Sequence, residues 1–113
     1  MEMKWRRLSG KPIKKDIGLA VEDVLQKEIA AGHKMKVCIG SDSQVKGGTV
    51  EYATVIVFLR EKKGGFMFIS NHKEQREMSL RERMISEVGR SVTIAYELCD
   101  LLDRYDVALE VHA

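Results

Sequence analysis

Asp42 sits in the run Ile39-Gly40-Ser41-Asp42-Ser43-Gln44, directly after Lys36-Val37-Cys38. A strand flanked by Val37 and Ile39 belongs near the middle of a sheet and is expected to be largely buried. A carboxylate there is costly unless it is paired, hydrogen-bonded or bound to a metal. The competing reading is a turn-forming aspartate at a frayed strand end. A second carboxylate able to face Asp42 must come from elsewhere, and the stretch after residue 73 offers Glu74, Glu77, Glu82, Glu87 and Glu97. At about 100° per residue, with the stripe through Met84, Ala95 and Leu102 at zero, Glu87 lies about 60° off that stripe. Glu97 lies about 140° away and Glu82 about 160°. Glu87 is therefore the carboxylate best placed to look toward a sheet.

Four strands and two helices must position these groups. Ile17, Ala20/Val21, Val24/Leu25 and Ile29 recur at helical spacing, with Asp16 to cap the start and Gly32 to end it. The prediction is a helix over residues 16–31. Residues 36–45 form a short β-rich run. Lys46-Gly47-Gly48 supplies a turn, and residues 49–60 are dense in β-branched and aromatic side chains. Glu61-Lys62-Lys63-Gly64-Gly65 turns again, and residues 66–70 make a third strand of an antiparallel meander. Ser79 and Glu82 fit a capping box. They open a long helix whose apolar stripe runs through Met84, Val88, Val92, Ala95, Leu98/Cys99 and Leu102 to about residue 103. Residues 107–112 then form a strand parallel to the first, through a right-handed crossover. The expected fold is one α/β domain with a mixed sheet: a leading helix, then β-β-β-α-β over residues 36–112.

Composition narrows the function classes. The chain has 113 residues, 44% hydrophobic and 32% charged, within the range of one globular domain and too apolar for disorder. No apolar run approaches the roughly 20 residues of a membrane span. The N-terminus lacks an apolar segment after its charges, so no secretory signal is expected, and the expected location is cytoplasmic. Cys38 and Cys99 both lie among apolar residues and are expected as buried, reduced thiols. The net charge is only +2 but is unevenly spread. Residues 1–15, expected as an irregular basic arm over 1–14 with a Ser9-Gly10 turn, carry six Lys/Arg and one acid. Residues 91–113 carry one Arg and five acids. A basic face able to meet phosphates is one reading of this asymmetry, and an unevenly charged solvated surface is the other. Neither Gly-Gly turn is followed by Gly-Lys-Ser/Thr and a helix, which excludes a phosphate-binding loop. No nucleophile elbow supports a serine triad.

The order of Ile39-Gly40-Ser41-Asp42-Ser43-Gln44, Ser70-Asn71-His72-Lys73 and Val111-His112-Ala113 resembles a bacterial ribonuclease H-like family once filed as a domain of unknown function. That resemblance implies a ribonuclease H-like fold and a nuclease-type reaction on phosphodiesters. It also implies two Mg²⁺ or Mn²⁺ ions about 4 Å apart on carboxylates, hard donors that suit these ions. By position, Asp42 matches the bridging first-strand aspartate and Glu87 the helix glutamate, with Glu82 the alternative if the helix alignment slips. Convergence of Asp42 and Glu87 within a few ångströms is what this enzyme reading requires. Ser41, Ser43, Gln44, Lys73 and Arg76 are candidate substrate contacts. His72 and His112 are candidate supporting residues, a surface role being the competing reading for His72. The third acid of the family pattern is expected just beyond the last strand, so the chain is expected to be a C-terminally incomplete version of the fold. RNA or DNA is the expected partner. A nucleic-acid-binding domain without catalysis and an assembly module, including a homo-oligomer, are the alternatives.

Overall fold

The computed structural model describes residues 3–112. In chain order the elements are β1 (Trp5–Arg7), β2 (Pro12–Ile13), α1 (Ile17–Ala30), β3 (Met35–Lys46), β4 (Thr49–Arg60), β5 (Gly64–Glu74), α2 (Leu80–Arg104) and β6 (Ala108–His112). The strands form one mixed sheet in the order β2-β1-β5-β4-β3-β6. The meander β3-β4-β5 is antiparallel, and β6 runs parallel to β3 from Lys36↔Ala108 to Gly40↔His112. This is the expected β-β-β-α-β order with its parallel crossover.

The turns explain the register. Lys46 pairs with Thr49, so the β3–β4 loop is two residues long. Gly47 and Gly48 both adopt positive φ, at 55° and 81°. That is the conformation that matches the twist of a tight hairpin and that glycine adopts at least cost. Asp16 caps α1 by accepting from the Gly18 amide, and Ser79 with Glu82 forms the anticipated capping box on α2.

Both helices pack on one face of the sheet. Val37 and Ile39 of β3, Ile56 and Phe58 of β4, and Phe68 of β5 meet Val21 and Leu25 of α1 and Ile94, Leu98 and Leu102 of α2 in one core. The opposite face carries Lys36, Cys38, Val55, Val57 and Met67, which are only half-buried, and no described helix covers it.

Four expectations change. From residue 3 onward, where the structure describes it, the basic arm is not irregular: Trp5 is buried in the core, β1 pairs with β2, and β1 adds to the edge of β5 through Arg6↔Ile69. Strands of three and two residues are too short for periodicity to reveal. The third strand runs 64–74 rather than 66–70, because Ser70–Glu74 pair with β4 despite their polarity. Cys99 is exposed and Cys38 half-buried; both thiols are free. The inward face of α2 runs through Glu87, Ser91, Ile94, Leu98 and Leu101, while Met84 is 57% and Val88 44% exposed. The apolar stripe read from the sequence is thus rotated away from the sheet in the first half of the helix.

Candidate functional site

The core does not fill the whole space beneath α2. Beyond Ile39 the inward positions of β3 turn polar, with Ser41 and Ser43. The register lays them in two rows across the sheet, Ser41–Thr54–Ser70 and Ser43–Tyr52–His72. Thr54, Ser70 and Ser91 are all at least 98% buried. Buried hydroxyls are tolerated only when their hydrogen bonds are made inside the protein. Ser41 Oγ lies 3.0 Å from Thr54 Oγ1 and accepts from Ser91 Oγ at 2.9 Å. Sequence reasoning met Ser70 only as part of the Ser70-Asn71-His72-Lys73 run and passed over Thr54 and Ser91, because each looks like an ordinary strand or helix residue until the register aligns them.

The second row carries charge. Ser43 donates its hydroxyl to the Glu87 carboxylate. Arg83 donates through Nε to Ser43 Oγ at 3.2 Å and through a terminal nitrogen to the Ser43 carbonyl at 3.2 Å. His72 Nε2 lies 3.0 Å from Glu74 Oε1, and this bond holds the Glu74 carboxyl below the usual carboxylate range. Arg90 stacks its guanidinium 4.3 Å from the centre of the Tyr52 ring, and its buried Nε has no hydrogen-bond partner. Next to these groups a cavity of about 590 Å³ opens between β5 and α2. Lys4, Asn71, His72, Ser86 and Arg90 are among the residues that line it.

Glu87 therefore looks toward the sheet, as expected, and Glu82 does not. Glu82 accepts from the Ser79 amide and pairs with Arg76 at 3.2 Å, and these bonds lower its pKa. Asp42 differs from expectation. It is exposed rather than buried, and β3 pairs continuously with β4 without a bulge. Strand alternation sends the Asp42 side chain off the face opposite Ser43 and Glu87. Its Oδ1 accepts from the Ser43 amide at 2.9 Å, on a stretch of β3 beyond the end of β6. The two carboxylates thus converge on Ser43 and not on each other. Gln44 is exposed on the Asp42 face. Lys73 and Arg76 carry acid partners, Glu51 at 3.5 Å and Glu82. His112 stands on β6 beside Glu110, on the helix-free face.

Asp42 and Glu87 offer the hard oxygens that Mg²⁺ or Mn²⁺ prefers. As arranged they do not fit the expected two-ion site. Asp42 leaves β3 on the helix-free face, whereas Glu87 reaches the other face from α2 and gives one oxygen to Ser43. Among the described residues no third carboxylate joins them.

The fold and this polar band define an α/β protein built around a mixed sheet, with Asp42 near the end of the first long strand and Glu87 on the helix packed over it. The chain belongs to the Ribonuclease H-like family, whose model matches residues 20–113. Neither a curated protein nor a solved structure matches it. No described helix is long and apolar enough to cross a membrane.

Proposed function

We propose that this chain binds nucleic acid through its phosphates, in the groove between β5 and α2. The observation that supports this reading is the meeting of Lys4 and Arg90 on one open cavity, where neither forms an ion pair among the described residues. Lys11 and Lys14 on the adjoining β1–β2 ribbon are likewise exposed and without carboxylate partners among the described residues. Unpaired cations release counterions when they meet phosphates, which favours binding at low salt. Beneath Arg90 the buried Tyr52 ring, tilted against His72, supports the guanidinium from the sheet side.

A second reading, cleavage of the bound phosphodiester with Mg²⁺ or Mn²⁺, is favoured by membership of the family and by the shared attachment of Asp42 and Glu87 to Ser43. It requires Glu87 to turn away from Ser43 and the two carboxylates, now on opposite faces of the sheet, to come together.

One experiment separates the two. The chain is mixed with end-labelled RNA and DNA oligonucleotides across a salt series, with Mn²⁺ or with a chelator. Salt-sensitive binding without cleavage, weakened by Lys4→Glu and Arg90→Glu, supports the binding reading. Mn²⁺-dependent cleavage lost in Asp42→Asn and Glu87→Gln establishes the second. Absence of binding to either oligonucleotide at low salt defeats both.

A further inference from the structure

We propose that Cys38, Glu110 and His112 form a zinc site on the helix-free face of the sheet. The parallel pairing of β3 with β6 sets Cys38 opposite Glu110 and Gly40 opposite His112. Alternation then puts all three side chains on one face. Gly40, opposite His112, contributes no side chain on that face. A thiol sulfur, a carboxylate oxygen and an imidazole nitrogen lie within 4.8 Å of one another.

The contacts centre on one atom. Glu110 Oε2 is 3.9 Å from Cys38 Sγ and 3.3 Å from His112 Nε2. The other oxygen, Oε1, is held by Lys36 at 2.5 Å, the kind of outer contact that orients a ligating carboxylate. Metal–ligand lengths of about 2.0–2.3 Å require these atoms to draw inward by an ångström or so. Exposed side chains of Glu110 and His112 make that movement without disturbing the core.

The donor set selects the metal. Mixed sulfur, nitrogen and oxygen ligands suit Zn²⁺, and a thiolate is a poor ligand for Mg²⁺. Three protein ligands leave the fourth tetrahedral position to water, which stays open to solvent because no described helix covers this face. On binding, the Cys38 thiol releases its proton to solvent and becomes the thiolate ligand. Half-burial and the neighbouring Glu110 carboxylate push the pKa of that thiol up in the metal-free chain. The site is separate from the Ser43–Glu87 network, which lies on the other face.

Cobalt substitution tests the site on the whole chain. Titration with Co²⁺ is expected to saturate at one ion per chain with a sulfur-to-cobalt charge-transfer band, and Zn²⁺ should bleach it. Cys38→Ser should abolish the band, and Cys99→Ser should retain it. His112→Ala and Glu110→Gln should each weaken binding by about 10–100-fold or more, at least what loss of an outer partner costs a metal site. Both residues are exposed, so these variants fold whether or not Cys38→Ser does. A wild-type chain without the charge-transfer band, a band that depends on Cys99, or unchanged affinity in His112→Ala and Glu110→Gln would overturn the proposal.

Discussion

Ser43 donates its hydroxyl to the Glu87 carboxylate, and Arg83 closes the same knot from the preceding turn of α2. This knot fastens the first half of the helix to the sheet where no apolar core does so. Ser43→Ala leaves Glu87 and Arg83 without their shared partner at a site where Ser43 is only 7% exposed. A loss of about 1–3 kcal/mol is expected, the cost of leaving a buried polar group unsatisfied. Asp42→Asn should fall within about 0.5 kcal/mol of the parent, because the side chain is exposed and an amide oxygen still accepts from the Ser43 amide. Urea unfolding of both variants checks this. Equal destabilisation would mean that Asp42 lies on the helix side of β3.

The hydroxyl trio of Ser41, Thr54 and Ser91 makes a second prediction. Thr54→Val keeps the shape but leaves Ser41 with one partner fewer in a buried layer, so a loss of about 1 kcal/mol is expected. Replacing all three by Ala, Val and Ala removes every unsatisfied partner and should cost less than the three single losses summed. Additive losses in denaturant titrations would show that the three hydroxyls do not form one network.

Much of this arrangement was legible in the sequence. The ends of β4 at Thr49 and Arg60 were plain, because glycine turns bracket a run of β-branched and aromatic residues. The capping box at Ser79 and Glu82 was equally local. Side-chain direction was less so. Val37 and Ile39 at odd positions imply that Ser41 and Ser43 point inward and Asp42 outward. That parity was masked by Cys38, which made the strand look apolar on both faces. The rotation of α2 was hidden for a different reason. Met84, Val88 and Val92 mimic a core stripe, and only the polar band beneath Glu87 and Ser91 decides which stripe faces in. Thr54 and Ser70 gained meaning solely from cross-strand register, which spans too much sequence to be read locally.

The rotation of α2 is itself testable. Leu98 is fully buried, so Leu98→Ala should cost about 2–5 kcal/mol through lost burial and the cavity left behind. Met84→Ala removes an exposed side chain and should stay within about 0.5 kcal/mol of the parent. Thermal and urea denaturation of the pair checks the prediction. A large loss at Met84 would restore the stripe read from periodicity.

Glu28 and Arg60 give the fold a defined response to acid. Arg60 Nε and a terminal nitrogen both donate to the Glu28 carboxylate, at 2.8–3.1 Å, and so tie the end of α1 to the end of β4. His33 Nε2 lies 3.9 Å from the same group. The Arg60 bonds hold the Glu28 carboxyl below its ordinary value of 4.5. A carboxyl with a depressed folded pKa binds fewer protons folded than unfolded, so its stabilisation is fully present above pH 4.5. That stabilisation is lost as the pH falls through the lower folded value. Glu28→Gln keeps the shape and removes the charge, and should lower stability by about 1 kcal/mol at neutral pH. The gap between parent and variant should then narrow steadily below pH 4.5. Urea midpoints of both proteins from neutral pH downward supply the measurement. A gap that stays constant across that range would show that the Glu28 charge contributes nothing to the tie between α1 and β4.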